Sequence, residues 1–144
     1  MLIGERNMAA LIDTSLLFAA MFVKDVNHAK ARTALQTLNE TRVVPAPVVY
    51  ELFYMTTVRI NYERAITAFE SLQASPYNIE ALTPLDMRRM VEIMRQYRDA
   101  QLDLADVALM TIAERLNITR VYTFDRRDFS IFRPRHCDYL ELLP

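Results

Sequence analysis

The chain has 144 residues, 52% of them hydrophobic, and a formal net charge of −1 at neutral pH. That length suits one domain with a real core, and the composition excludes a disordered chain. No apolar stretch approaches the roughly 20 residues that cross a bilayer, so no membrane partner is expected.

The single cysteine, Cys137, excludes an internal disulfide and agrees with a reducing, cytoplasmic setting. Neither Cys137 and its neighbour His136 nor the distant His28 offers zinc-ligand spacing or a thiol–imidazole pair, so Cys137 reads as a small residue near the last strand. The near-neutral balance argues weakly against a large phosphate footprint. Of the 17 lysines and arginines, only Lys24 and Lys30 are lysines, and arginine forks grip phosphate oxygens in pairs.

Residues 1–7 fit no element, and Met8 is a second candidate start. The apolar segment 11–23 carries Asp13 and lacks a basic leader and cleavage site, so it is not read as a secretion signal. The only glycine, Gly4, precedes the first strand, which excludes glycine-rich phosphate loops of the dinucleotide or P-loop kind.

The predicted elements alternate. Residues 9–13 form a short buried strand, and 15–23 a helix that Thr14 or Ser15 can cap. Ala31, Ala34, Leu35 and Leu38 recur at helical spacing in a second helix, 28–38. A strand over 42–46 leads to a third helix with Pro47 in its first turn, running to about Ile60. Asn61 can cap a fourth helix, 62–72, followed by a strand over 78–82.

A fifth helix, 84–97, opens with Pro84 and an acid in its first turn. A polar break at 98–101 precedes a sixth helix, whose stripe is Ala105, Ala108, Leu109, Ile112, Ala113 and Leu116, with Asn117 as its stop. Strands follow at 121–124 and 138–142. Strands separated by helices imply an α/β fold, a parallel sheet with helices on both faces.

Ligands of such sheets bind beyond the carboxyl ends of the strands. Asp13 and Asp125 close two strands; Glu51 and Asp106 fall in what should be the first turns of helices starting at the same edge. Four like charges crowded there repel unless a cation holds them. Magnesium and manganese take oxygen ligands and need few carboxylates, so these acids point to metal-assisted phosphodiester chemistry.

Each acid also has an ordinary explanation. Asp13 could cap a helix, Glu51 and Asp106 could complement helix dipoles, and Asp125 could open an Asx turn. The conjunction at four junctions favours a shared ion. Asp103, one turn before Asp106, is an auxiliary ligand or a helix cap, and Asp128 a turn or salt-bridge residue. Thr14, Ser15 and Thr123 could bond a phosphate, a metal water or a carboxylate.

At these residues the sequence resembles the PIN-domain family, and within it the small VapC-type ribonuclease toxins of toxin–antitoxin pairs. The matching segments, in family order, are Leu11-Ile-Asp13-Thr-Ser15, Pro45-Ala-Pro-Val-Val-Tyr-Glu51-Leu, Leu102-Asp-Leu-Ala-Asp106-Val-Ala-Leu and Val121-Tyr-Thr123-Phe-Asp125-Arg-Arg-Asp128-Phe. The resemblance implies a three-layer α/β/α sandwich over the whole chain, 1–144, with a central parallel sheet. It implies a metal and catalytic set of Asp13, Glu51, Asp106 and Asp125, with Thr123 as a nearby hydroxyl. The implied activity is Mg2+- or Mn2+-dependent endonucleolytic cleavage of RNA by water, leaving a 5′-phosphate and a 3′-hydroxyl. The implied partners are a cognate antitoxin and a second copy of the chain. One departure is Val107, where the family often has alanine.

Arg98, Arg126 and Arg127, with Arg133 and Arg135 beyond them, stand near the acids as candidate RNA contacts, with solvated surface or ion pairs to Asp128 and Asp138 as the competing reading. The third helix carries Leu52, Phe53, Tyr54 and Met55, apolar most of the way round, so the third and fourth helices serve a core and can also offer a partner surface. Two other phosphate-handling classes fit poorly: a receiver needs an adjacent acidic pair and a late lysine, and the dehalogenase-type phosphatases need an aspartate where Ser15 stands. A non-catalytic RNA- or protein-binding module has no reason to keep four acids in one cleft.

Overall fold

The computed structural model describes residues 8–144; Gly4 and the choice between Met1 and Met8 as the start involve residues outside that range. The order is β1 Ala9–Ile12, α1 Thr14–Met21, α2 His28–Thr37, β2 Thr41–Pro45, α3 Ala46–Arg59, α4 Tyr62–Ala74, β3 Tyr77–Glu80, α5 Pro84–Gln96, α6 Leu104–Leu116, β4 Arg120–Tyr122, α7 Arg127–Ile131 and β5 Glu141–Leu143. The expected polar break is a 3-10 turn, Arg98–Ala100.

The five strands form one parallel sheet in the order β3-β2-β1-β4-β5. Leu11 of β1 pairs with Val43 on one side and Val121 on the other. Consecutive residues Ala10, Leu11 and Ile12 are all fully buried, so helices cover both faces of the sheet and the layers are α/β/α. The core continues through Leu16 and Leu17 of α1, Leu52 of α3 and most of α6.

Several expectations are corrected. β1 ends at Ile12, and Asp13, not Thr14 or Ser15, caps α1. α3 starts at Ala46, directly after β2, so Glu51 lies in its second turn, not its first. Asp103 holds the N-cap position of α6 but makes no side-chain cap bond. A seventh helix, α7, occupies a stretch the sequence left as turn and loop.

Other local rules hold. Asn61 caps α4 through the Arg64 N–H, and Thr83 with Asp86 forms a reciprocal capping box on α5. Asn117 ends α6 in the left-handed region, φ 55°.

Candidate metal centre

Because the sheet is parallel, β1, β2 and β4 all end at one edge, and α1, α3, the start of α6 and the loop before α7 converge there. Asp13 is the best held of the acids. It is buried, and its Oδ1 accepts the Thr14 N–H at 2.7 Å. Its Oδ2 accepts the Thr123 hydroxyl at 2.7 Å and the Ser15 hydroxyl at 3.0 Å. Ser15 Oγ in turn accepts the Phe124 N–H at 3.0 Å, and Thr123 Oγ1 accepts the Asp125 N–H at 3.0 Å. Two hydroxyls thus tie the end of β1 to the end of β4 while aiming one carboxylate.

Asp106 is equally buried but differently served. Its Oδ2 has no hydrogen-bond partner among the described residues. Burial pushes its carboxyl well above the usual range, and the charge of Asp13, a hydrogen bond shared with the Asp128 carboxyl and the charge of Asp103 push it further. Glu51 is half-buried and is pushed up to about 7, first by burial and then by Asp103 and Asp13. The Thr14 hydroxyl lies near enough to moderate that rise, yet it makes no hydrogen bond of good geometry. Burial also raises Asp13, against the three donors that hold its charge.

Glu51 and Asp106 therefore each sense Asp13 and Asp103, and Asp128 lies in the same patch beside Asp106. Asp103 and Asp125 are exposed at its rim, and Asp125 reaches the group through its effect on Asp13. Among the described residues, no three acids, histidines or cysteines are already close enough to hold an ion as they stand. The donor set nonetheless fits a hard cation: every candidate atom is oxygen, one buried carboxylate oxygen lacks a partner, and the acids raise one another's affinity for protons. A cation entering here would replace protons and compensate the crowded charge.

Asp128 is the residue the sequence undervalued. It does pair with Arg127 at 3.0 Å, as a salt-bridge residue should, but it is also buried beside Asp106. Of the candidate RNA contacts, Arg98 is exposed. Arg126 donates to the Pro144 carbonyl at 2.8 Å, and Arg127 to Asp128 and the Ala100 carbonyl, each at 3.0 Å.

A parallel α/β sheet with acids gathered at its carboxyl edge defines a phosphate- or cation-handling class of domain. The PIN domain family model matches residues 10–133, and the chain belongs to that family. It is 27% identical over 124 residues to Ribonuclease VapC26 of Mycobacterium tuberculosis (strain ATCC 25618 / H37Rv), covering 86% of this chain and 92% of that protein.

Among solved structures, it is similar to Mycobacterium tuberculosis VapC20, a Sarcin-Ricin loop cleaving toxin, with TM-score 0.79 and 17% identity, covering 89% of this chain and 98% of that one. FitAcB from Neisseria gonorrhoeae matches with TM-score 0.68 and 18% identity, covering 94% and 96%. VapBC2 from Rickettsia felis, bound to a DNA fragment from its promoter, gives TM-score 0.68 and 15% identity, covering 94% and 97%. These structural likenesses speak to the fold.

Proposed function

We infer that this chain is a metal-dependent endoribonuclease, acting in the cytoplasm as the toxin of a toxin–antitoxin pair, with one nuclease domain over residues 1–144. The observation that carries the reading is the buried Asp106 carboxylate, unpartnered on one oxygen and set within electrostatic reach of Asp13, which Glu51 also senses. A module that only binds phosphate gains nothing from such a group, whereas a hard cation compensates it.

Asp13, Glu51 and Asp106 would hold the ion, Mg2+ or Mn2+, with Asp103 and Asp125 at the rim. The ion would supply acidity to a water and countercharge to the phosphate under attack. The chain supplies the rest. Ser15 and Thr123 lock Asp13 in one orientation. Burial by α6 keeps bulk water away from Asp106, which strengthens every charge interaction there. Exposed Arg98, with the outer donors of Arg126 and Arg127, would grip phosphates flanking the cut. Water as nucleophile leaves a 5′-phosphate and a 3′-hydroxyl.

Two surfaces suit the partners. Tyr50 and Tyr54 of α3 and Phe69 of α4 are 71%, 70% and 50% exposed, an apolar patch suited to a second copy of the chain. A separate cleft of about 820 Å3 has Leu17, Ala20 and Leu35 on its floor and Arg32, Arg42 and Arg64 on its walls. Arg42 stacks over Tyr77 and Arg64 over Phe22, which holds both guanidinium groups in place. An acidic, amphipathic antitoxin segment matches that lining.

The test is cleavage of total RNA with Mg2+ or Mn2+ and with chelator, followed by sequencing of RNA 5′ ends. Wild type should cut only with metal and leave 5′-phosphates. Asp13→Asn and Asp106→Asn should each lose about 100-fold or more. Equal cleavage by both variants would sink the reading.

A further inference from the structure

Asp13 is aimed by three donors, whereas the buried Asp106 Oδ2 has none among the described residues, and the group set against the Asp106 carboxyl is the Asp128 carboxyl. The direction of Asp106 therefore depends on how the first turn of α6 is anchored. Asp103, at the N-cap, does not anchor it with its own side chain.

We propose that Asp128 is a positioning residue that fixes the first turn of α6 and so presents Asp106 to the metal. Its Oδ2 accepts the Asp103 N–H at 3.2 Å, one helical turn before Asp106. Its Oδ1 takes Arg127 Nη1 at 3.0 Å. Arg127 Nη2 then donates to the Ala100 carbonyl at 3.0 Å, just before α6 begins. The three groups form a clip from α7 to the segment that launches α6.

Both oxygens of Asp128 are thus engaged in the clip, whereas Asp106 keeps a buried oxygen with no donor. Supporting groups of this kind change metal affinity or activity by roughly 10- to 100-fold when removed.

The inference rests on the metal-dependent nuclease reading, and the experiment separates the two. Mn2+ affinity is measured by calorimetry without RNA, on wild type, Asp128→Ala, Asp128→Asn and Arg127→Ala, with kcat and KM for RNA measured alongside. Asp128→Ala should bind Mn2+ roughly 10- to 100-fold more weakly and lose kcat in proportion, with KM within about 2-fold. Asp128→Asn keeps an oxygen for the Asp103 N–H and should recover most of the affinity. If Asp128→Asn falls as far as Asp128→Ala, the charge itself matters and Asp128 is a ligand, which overturns the proposal. Wild-type affinity in Asp128→Ala overturns it as well.

Should Asp128→Ala fail to fold, Arg127→Ala carries the test, because it releases the clip and leaves the carboxylate. A several-fold weaker Mn2+ affinity is then expected, and an unchanged one is the refutation. Absence of Mn2+ binding by wild type would remove the nuclease reading, and this inference with it.

Discussion

A carboxylate whose folded pKa is raised weakens the fold as pH climbs. Below about pH 4 Asp106 is neutral in both states and costs nothing. Above that the unfolded chain ionises first, so stability falls until the pH passes the folded value. Asp106→Asn removes the penalty. The metal-free variant should be more stable at pH 7 by about 1–2 kcal/mol, a rise of roughly 3–10 °C in Tm. Mn2+ should raise the Tm of wild type and leave the variant unmoved, since only the former has a full ligand set. Thermal melts with and without Mn2+ check both halves. On the proposed reading Asp106, pushed up to about 10, and Glu51, pushed up to about 7, must both lose their protons to bind, so Mn2+ affinity should weaken as the pH drops below about 10 and more steeply below about 7, and calorimetry in two buffers at pH 7 should register protons released.

At the scale of elements, α5 shows how local sequence rules and long-range charge reinforce each other. Thr83 and Asp86 cap the helix reciprocally, and Asp86 is also gripped by Arg115 of α6 at 3.0 Å, which reaches Glu80 of β3 as well. Burial alone would raise Asp86; the Thr83 backbone N–H and Arg115 outweigh it and hold the carboxyl below its usual value. Its contribution is therefore present above the unfolded pKa and disappears as pH falls through the lower, folded one. Thr83→Ala should cost about 1 kcal/mol, read as a lower urea midpoint with an unchanged slope.

The elements were largely legible because their signals are local: Asn61, Thr83 and Asn117 announce helix ends wherever the chain folds. Asp13 and Asp125 were legible for a related reason, since each follows a run of apolar strand. The border of β2 and α3 was legible to within a residue from Pro47, and counting from it already puts Glu51 in the second turn of α3 rather than the first. Asp128 was undervalued because α7 spans five residues and has no side-chain cap, too little for periodicity to reveal. No residue pattern announces that Asp103 gives its N–H to a carboxylate 25 positions later.

For the whole molecule, the sheet order decides what can meet. β1 lies between β2 and β4, so the acids that follow these strands are neighbours despite their separation in the chain. The arginine-lined cleft draws on β2 and β3 near their starts, at Arg42 and Tyr77, and so opens toward the opposite edge from the acids. Arg64→Glu should weaken antitoxin binding while leaving Mn2+ affinity unchanged, and a pull-down beside calorimetry reads both. RNA binding should follow salt steeply, and Arg98→Ala should lower the slope of log affinity against log salt by about 0.7, the loss of one phosphate contact on a single strand. An unchanged slope removes Arg98 from the contact list.

The bond between Thr123 and Asp13 spans 110 positions of sequence. On the proposed reading, a ribosome that has released α1 through α6 has therefore made no finished cutting centre, because β4 and the hydroxyl just after it that steadies Asp13 have yet to emerge. A nascent chain stopped before Arg120 should cut no RNA.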